Sequence, residues 1–117
     1  MSKLARLMAL VMAASLPMQS FAAYECNVNL QYVLVYSNGA VNVLHSGRGD
    51  YTVVCNLNES YKGVSPTTCA MWTGLLLGAK KRNAKVTFYY GGEGSCSTLP
   101  TYGEAPVPGY IGEIPAP

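Results

Sequence analysis

From Val28 to Tyr36, the residues Val28, Leu30, Tyr32, Leu34 and Tyr36 fall on one side of an extended chain and Asn29 and Gln31 on the other. Val33 and Val35 make the second half apolar on both sides. This predicts one strand, covered on both faces at one end. Ser37-Asn38-Gly39 supplies turn chemistry, because Asn and Gly accept positive φ, and Ala40 to Leu44 resumes as a second strand, so the two form a hairpin. Gly47 to Asp50 reads as another turn, and Tyr51 to Leu57 as a third strand, with Tyr51, Val53, Cys55 and Leu57 alternating against Thr52, Val54 and Asn56. Ser65-Pro66 then opens a helix with a capping serine and a proline where a missing N–H costs nothing. The helix runs to about Arg82. Cys69, Trp72, Leu75, Leu76 and Ala79 share one stripe, and Lys80, Lys81 and Arg82 sit in the last turn, where the helix dipole favours cations. Met71, Gly74, Leu77 and Gly78 lie off that stripe and leave the far side of the helix apolar and small. Lys85 to Tyr90 predicts a fourth strand, Gly91 to Gly94 a flexible turn, and Tyr110 to Ile114 a short fifth strand within a proline-rich tail.

Three meandering strands, a helix and two further strands are the order of the five-stranded Greek-key barrel that binds oligonucleotides and oligosaccharides, the OB-fold. The expected class is therefore mainly β, a small disulfide-bonded barrel with one helix between its third and fourth strands. In such a barrel the first and fourth strands pair antiparallel. Cys26, at the start of one, then lies near Cys96, just past the end of the other, and Cys55 pairs with Cys69 where strand three meets the helix.

Composition narrows the setting. The chain has 117 residues, 50% of them hydrophobic and 12% charged, which suits one small domain and excludes disorder. Lys3 and Arg6 precede an apolar run from Leu7 to Leu16 that closes at Ser20-Phe21-Ala22, the pattern of a secretory signal peptide over residues 1–22. The mature domain is then 23–117, exported to the periplasm or beyond the cell. Without the signal, Arg48, Lys62, Lys80, Lys81, Arg82 and Lys85 balance Glu25, Asp50, Glu59, Glu93, Glu104 and Glu113, so the +2 of the full chain disappears. A polyanion held by counterion release needs a surplus of cations, so no nucleic acid partner is expected. No later apolar stretch is long enough to span a bilayer, and no membrane insertion is expected. An even count of four cysteines in an exported small domain points to two disulfides, and their spacing fits no zinc site.

Hydrolytic catalysis needs an activated nucleophile, paired carboxylates or a metal, and this sequence offers one histidine, His45, one aspartate, Asp50, and cysteines expected to be oxidised. Neither an enzyme nor a cofactor is expected. Tyrosine is abundant instead: all nine lie in the mature part. A phenol ring covers the C–H patch of a pyranose while its hydroxyl bonds the sugar edge, so this composition suits a lectin-like surface.

The run Tyr36-Ser37-Asn38-Gly39-Ala40-Val41-Asn42-Val43-Leu44-His45-Ser46-Gly47-Arg48-Gly49-Asp50, with Cys55 close behind, resembles the Tyr-Ser...Leu-His-x-Gly-x-x-Asp...Cys segment of the receptor-binding B subunits of the subtilase cytotoxin and typhoid toxin type. Cys69-Ala70, Leu75-Leu76-x-x-Ala79 and the strand that follows also look like that family, and the resemblance spans about Tyr36 to Tyr90. It implies barrels assembled as a homopentameric ring with the helices lining its centre, and a separately encoded toxic A subunit as partner. It also implies a serine after tyrosine that contacts a host glycan, sialic acid among the candidates. The matching residue is Ser37. Tyr36 and Asn38 stand beside it, and Tyr36, Tyr89 or Tyr90 is expected to supply the stacking face. The rival expectation is a periplasmic or secreted protein-interaction module of the same fold with no sugar site.

Overall fold

The structure, a computed structural model, describes residues 22–114; the signal-peptide reading of residues 1–22 falls almost wholly outside them. Among the described residues six strands, β1 (Ala23–Val28), β2 (Leu30–Val35), β3 (Ala40–His45), β4 (Tyr51–Asn56), β5 (Lys85–Gly91) and β6 (Tyr110–Ile114), accompany one helix, α1 (Pro66–Arg82), and a 3₁₀ turn at Cys96–Thr98. They form two three-stranded antiparallel sheets, ordered β1-β5-β6 and β2-β3-β4. The fold is mainly β, and the mainly-β expectation with a helix after the third predicted strand holds.

Two features differ from the expected five-stranded barrel. The first is at Asn29, where the extended chain changes partner: β1 pairs with β5, and β2 pairs with β3. Asn29 donates its N–H to Ser46 Oγ at 3.0 Å and accepts from Ser46 N at 3.0 Å, which pins the bend. The second is that the sheets do not close into a barrel. Between β5 and β6 the chain passes through Pro100, Pro106 and Pro108, which have no N–H to give a ladder. Its pairing with β4 shrinks to one parallel bridge at Thr52 and Tyr102, where Tyr102 N donates to Tyr51 O at 2.8 Å and Val53 N to Tyr102 O at 3.1 Å.

The core lies between the sheets, with Val28, Leu30, Val41, Val43, Val54, Val86, Phe88, Tyr90 and Ile111 facing Leu76 and Ala79 of the helix. The helix ends follow the sequence signals. Ser65 Oγ accepts from Thr68 N, and Asn83 stops the helix in the left-handed region at φ 54°, donating its N–H to the carbonyls of Ala79 and Lys80. Both disulfides form as expected. Cys26–Cys96 ties β1 to the 3₁₀ turn, and Cys55–Cys69 ties β4 to the first turn of α1. With all four cysteines paired, the thiol state is that of an oxidising compartment. Among the described residues no helix is long and apolar enough to cross a membrane.

Candidate functional site

The β2–β3 hairpin turns at Ser37-Asn38-Gly39. Gly39 N donates to Tyr36 O and Tyr36 N to Ala40 O, both at 2.9 Å, while Asn38 Oδ1 accepts from Ala40 N at 3.0 Å. Gly39 is required twice over. Its φ is 89°, and a Cβ there would lie 2.6 Å from Asn56 Oδ1. The tip is clamped to the end of β4, since Leu57 N donates to Gly39 O at 2.8 Å and Asn56 Nδ2 to Asn38 O at 3.3 Å. Ser37 is thus held exposed on a rigid turn, and Asn38 makes the side-chain bond that a turn serine could have made.

A tyrosine face runs from Tyr36, next to this turn, back along the sheet toward Leu44. The sequence alternation places Tyr32, Leu34 and Tyr36 on the same side as Val28 and Leu30, but a bulge intervenes: Leu30 opposes His45 and Tyr32 opposes the very next residue, Leu44. One extra residue in β2 shifts the facing of the residues that follow it, although Val35 at the strand end stays 50% exposed. Val33 packs on the core, and Tyr32 and Tyr36 turn to solvent, 58% and 41% exposed. A second bulge, between Val41 and Asn42, shifts β4 in the same way, so Tyr51 opposes Leu44 and stands in one row with Tyr32. The bridge at Thr52 brings in Tyr102, 48% exposed, whose ring centroid lies 5.9 Å from that of Tyr51. Partial desolvation first, and then the charges of Tyr32, Tyr102, Tyr36 and Asp50, raise the Tyr51 pKa, so these hydroxyls share one neighbourhood. Beneath them Asn42, fully buried, donates Nδ2 to Tyr36 Oη at 3.0 Å, while its Oδ1 has no partner.

No protein family, characterised protein or solved structure matches this chain. The site's own chemistry is four phenols sharing one neighbourhood, joined through Tyr36 to the turn that exposes Ser37, so that apolar ring faces and hydroxyl edges are offered together.

Of the residues expected to form the site, the structure brings Tyr36, Ser37 and Asn38 together and places Tyr89 and Tyr90 in the other sheet. Tyr90 is a core residue, 1% exposed and stacked on Tyr24 at 5.2 Å, with its phenol pKa raised chiefly by burial, so its ring has no free face for a ligand. Tyr89 stacks on Tyr110 at 4.8 Å, and Tyr110 donates its hydroxyl to Glu25. The aromatic partners of the hairpin are Tyr32, Tyr51 and Tyr102, which sequence reasoning missed. The two-residue spacing of Tyr32 and Tyr36 from Leu34 was a visible signal for the first of them, whereas Tyr102 arrives only through a tertiary bridge.

His45 is structural. Its Nδ1 accepts the backbone N–H groups of Gly47 and Arg48 at 3.2 and 3.3 Å, and its ring stacks on Phe88. Burial first and the Arg48 charge second lower its pKa from 6.5 to about 4. Arg48 itself donates Nε to Leu99 O, just past the 3₁₀ turn and far along the chain. Among the described residues no cluster of His, Cys, Asp and Glu is placed to hold a metal. On α1, Met71 and Leu77 are exposed, and Gly74 has open space around it.

Proposed function

We propose that this protein is an exported, glycan-binding subunit of the B-subunit type, which holds terminal sugars of host glycoconjugates and carries a separate toxic subunit. The observation that carries the reading is the tyrosine face beside Ser37, turned to solvent by the bulge in β2. A sugar lying across Tyr36 and Tyr32 covers its C–H patch with their rings, and Ser37 meets its carboxylate or hydroxyl edge. Asn42, buried below, holds the Tyr36 hydroxyl in place with its Nδ2 and leaves the ring face to the ligand. The antiparallel β1–β5 pair, the β2-β3-β4 meander and the helix between β4 and β5 support a barrel of the OB type opened along its proline-rich side. The apolar outer face of α1 supports assembly of a homo-oligomeric ring, a pentamer by resemblance. Simultaneous engagement then multiplies weak single sites through effective concentration. No cofactor takes part in this reading.

The same helix face favours the second reading, a secreted protein-interaction module that acts through Met71 and Leu77 and binds no sugar. Replacement separates the two. Ser37→Ala removes one polar contact and Tyr32→Ala one stacking ring, and each is expected to weaken glycan binding by about 1–3 kcal/mol per site. The melting temperature should hardly move, because neither side chain supports the core. Binding measured on immobilised sialylated and neutral glycans, beside thermal unfolding, checks this. Unchanged binding in both variants favours the protein-contact reading.

A further inference from the structure

The loop from Thr101 to Gly109 has two sides. One side presents Tyr102 to the tyrosine face. The other walls a separate cavity of about 370 Å³, lined by Lys62, Thr68, Trp72, Gly91 and Pro108 among others. Its volume falls in the range of small-molecule sites. Its walls are held by bonds already made. Lys62 donates its ammonium to Gly103 O at 2.7 Å and Ala105 O at 2.8 Å, Tyr61 and Val64 exchange two backbone hydrogen bonds of 2.9 Å, and Gly109 N donates to Tyr89 O at 2.7 Å. Binding here requires little ordering of the protein.

The lining is specific in kind. Trp72, half-buried in the second turn of α1, supplies an indole surface. Lys62 has three donor hydrogens and spends two on the loop, so one remains. The Thr68 hydroxyl accepts from Ser65 Oγ and keeps its own hydrogen to donate. Gly63, Gly91 and Gly109 leave bare backbone at the cavity wall, and a Cβ at Gly91 would meet nothing within 4 Å. An aromatic surface, two free donors and exposed peptide groups match a ring with apolar C–H bonds and equatorial hydroxyls.

We infer that this cavity is a second carbohydrate subsite, which takes one pyranose against Trp72 with Lys62 and Thr68 donating to its hydroxyls. It stands on the cavity alone and does not depend on the hairpin reading.

The chain contains a single tryptophan, so selectively excited indole emission reports on Trp72, which lines this cavity. The probes are methyl galactoside, methyl glucoside, N-acetylglucosamine and glucuronic acid, titrated into the oxidised full-length protein, with sorbitol as a polyol that has hydroxyls but no ring. At least one pyranose should give a saturable change in emission with a midpoint on the order of 1–10 mM, typical of a single shallow sugar site, and sorbitol none. Gly91→Phe should abolish the response and Gly91→Val weaken it several-fold, since Gly91 has no left-handed backbone to strain and both residues suit a strand end. Ser37→Ala should keep it. Circular dichroism and thermal unfolding verify that the Gly91 variants are folded, and if the phenylalanine variant is not, the valine variant decides. The inference is overturned if no pyranose gives a saturable change, if sorbitol gives the same change, if folded Gly91 variants respond like wild type, or if Ser37→Ala loses the response.

Discussion

His45 and Ser37 show how differently two residues of one segment are used. His45 is enclosed, neutral and bonded through Nδ1, and Phe88 covers its ring. Its folded pKa of about 4 lies below its ordinary 6.5, so between those values the unfolded chain takes up a proton that the folded chain refuses. The stability this group contributes is complete above pH 6.5, falls as the pH drops toward 4 and levels off below that. Its size is about 3 kcal/mol at most, from 1.36 kcal/mol per pKa unit. Urea unfolding at pH 7 and pH 5 checks this: wild type should lose stability over the interval, and His45→Asn, which keeps an acceptor for the turn, should show a much flatter dependence. Ser37 carries no such burden, being exposed on a turn that Asn38 and Gly39 hold in place. Its hydroxyl is free for a ligand.

The elements divide by how local their causes are. α1 was legible from end to end: Ser65-Pro66 announces its start, the basic triplet its last turn, and Asn83 takes the left-handed stop. Ser65→Ala should therefore cost about 1 kcal/mol in urea unfolding. The hairpin was equally legible, because its turn residues are adjacent in the chain. The outward turn of Tyr32 and Tyr36 was not. Alternation alone puts them on the face of Val28 and Leu30, and only the extra residue opposite His45 and Leu44 reverses them, a feature of the pairing that has no signature in one strand. The partner change at Asn29 was hidden for the same reason. The off-stripe residues of α1 were legible as an apolar face, and Met71 is 73% exposed in the structure. If that face is a ring contact, Met71→Asp with Leu77→Asp should shift the mass measured by light scattering to that of a monomer while leaving the melting temperature within a few degrees. A wild type that is already monomeric at tens of micromolar would rule the ring out.

At the scale of the molecule, two separate sheets share a core and are joined by the continuous chain at Asn29, the bridge at Thr52 and Tyr102 and the helix packed on both, while Cys26–Cys96 braces the β1-β5-β6 side and Cys55–Cys69 ties β4 to the helix. The disulfide pairing was legible because strand order brings those ends together. The open side was not, because it follows from which prolines lack donors opposite β4. Cys26–Cys96 closes the long loop that joins β1 to the segment beyond β5. Its replacement by a serine pair should cost about 2–5 kcal/mol, more than the loss of any single surface contact, as read by urea unfolding. The tyrosine face and the Trp72 cavity flank one loop, so both depend on this closure being intact. Whether the face that starts at Tyr36 and Ser37 binds sugar is decided by an array of host-type glycans probed with the purified, oxidised wild-type protein. A restricted set of glycans sharing one terminal sugar should be retained. Failure to bind any glycan, by a protein shown to be folded with both disulfides closed, would contradict it.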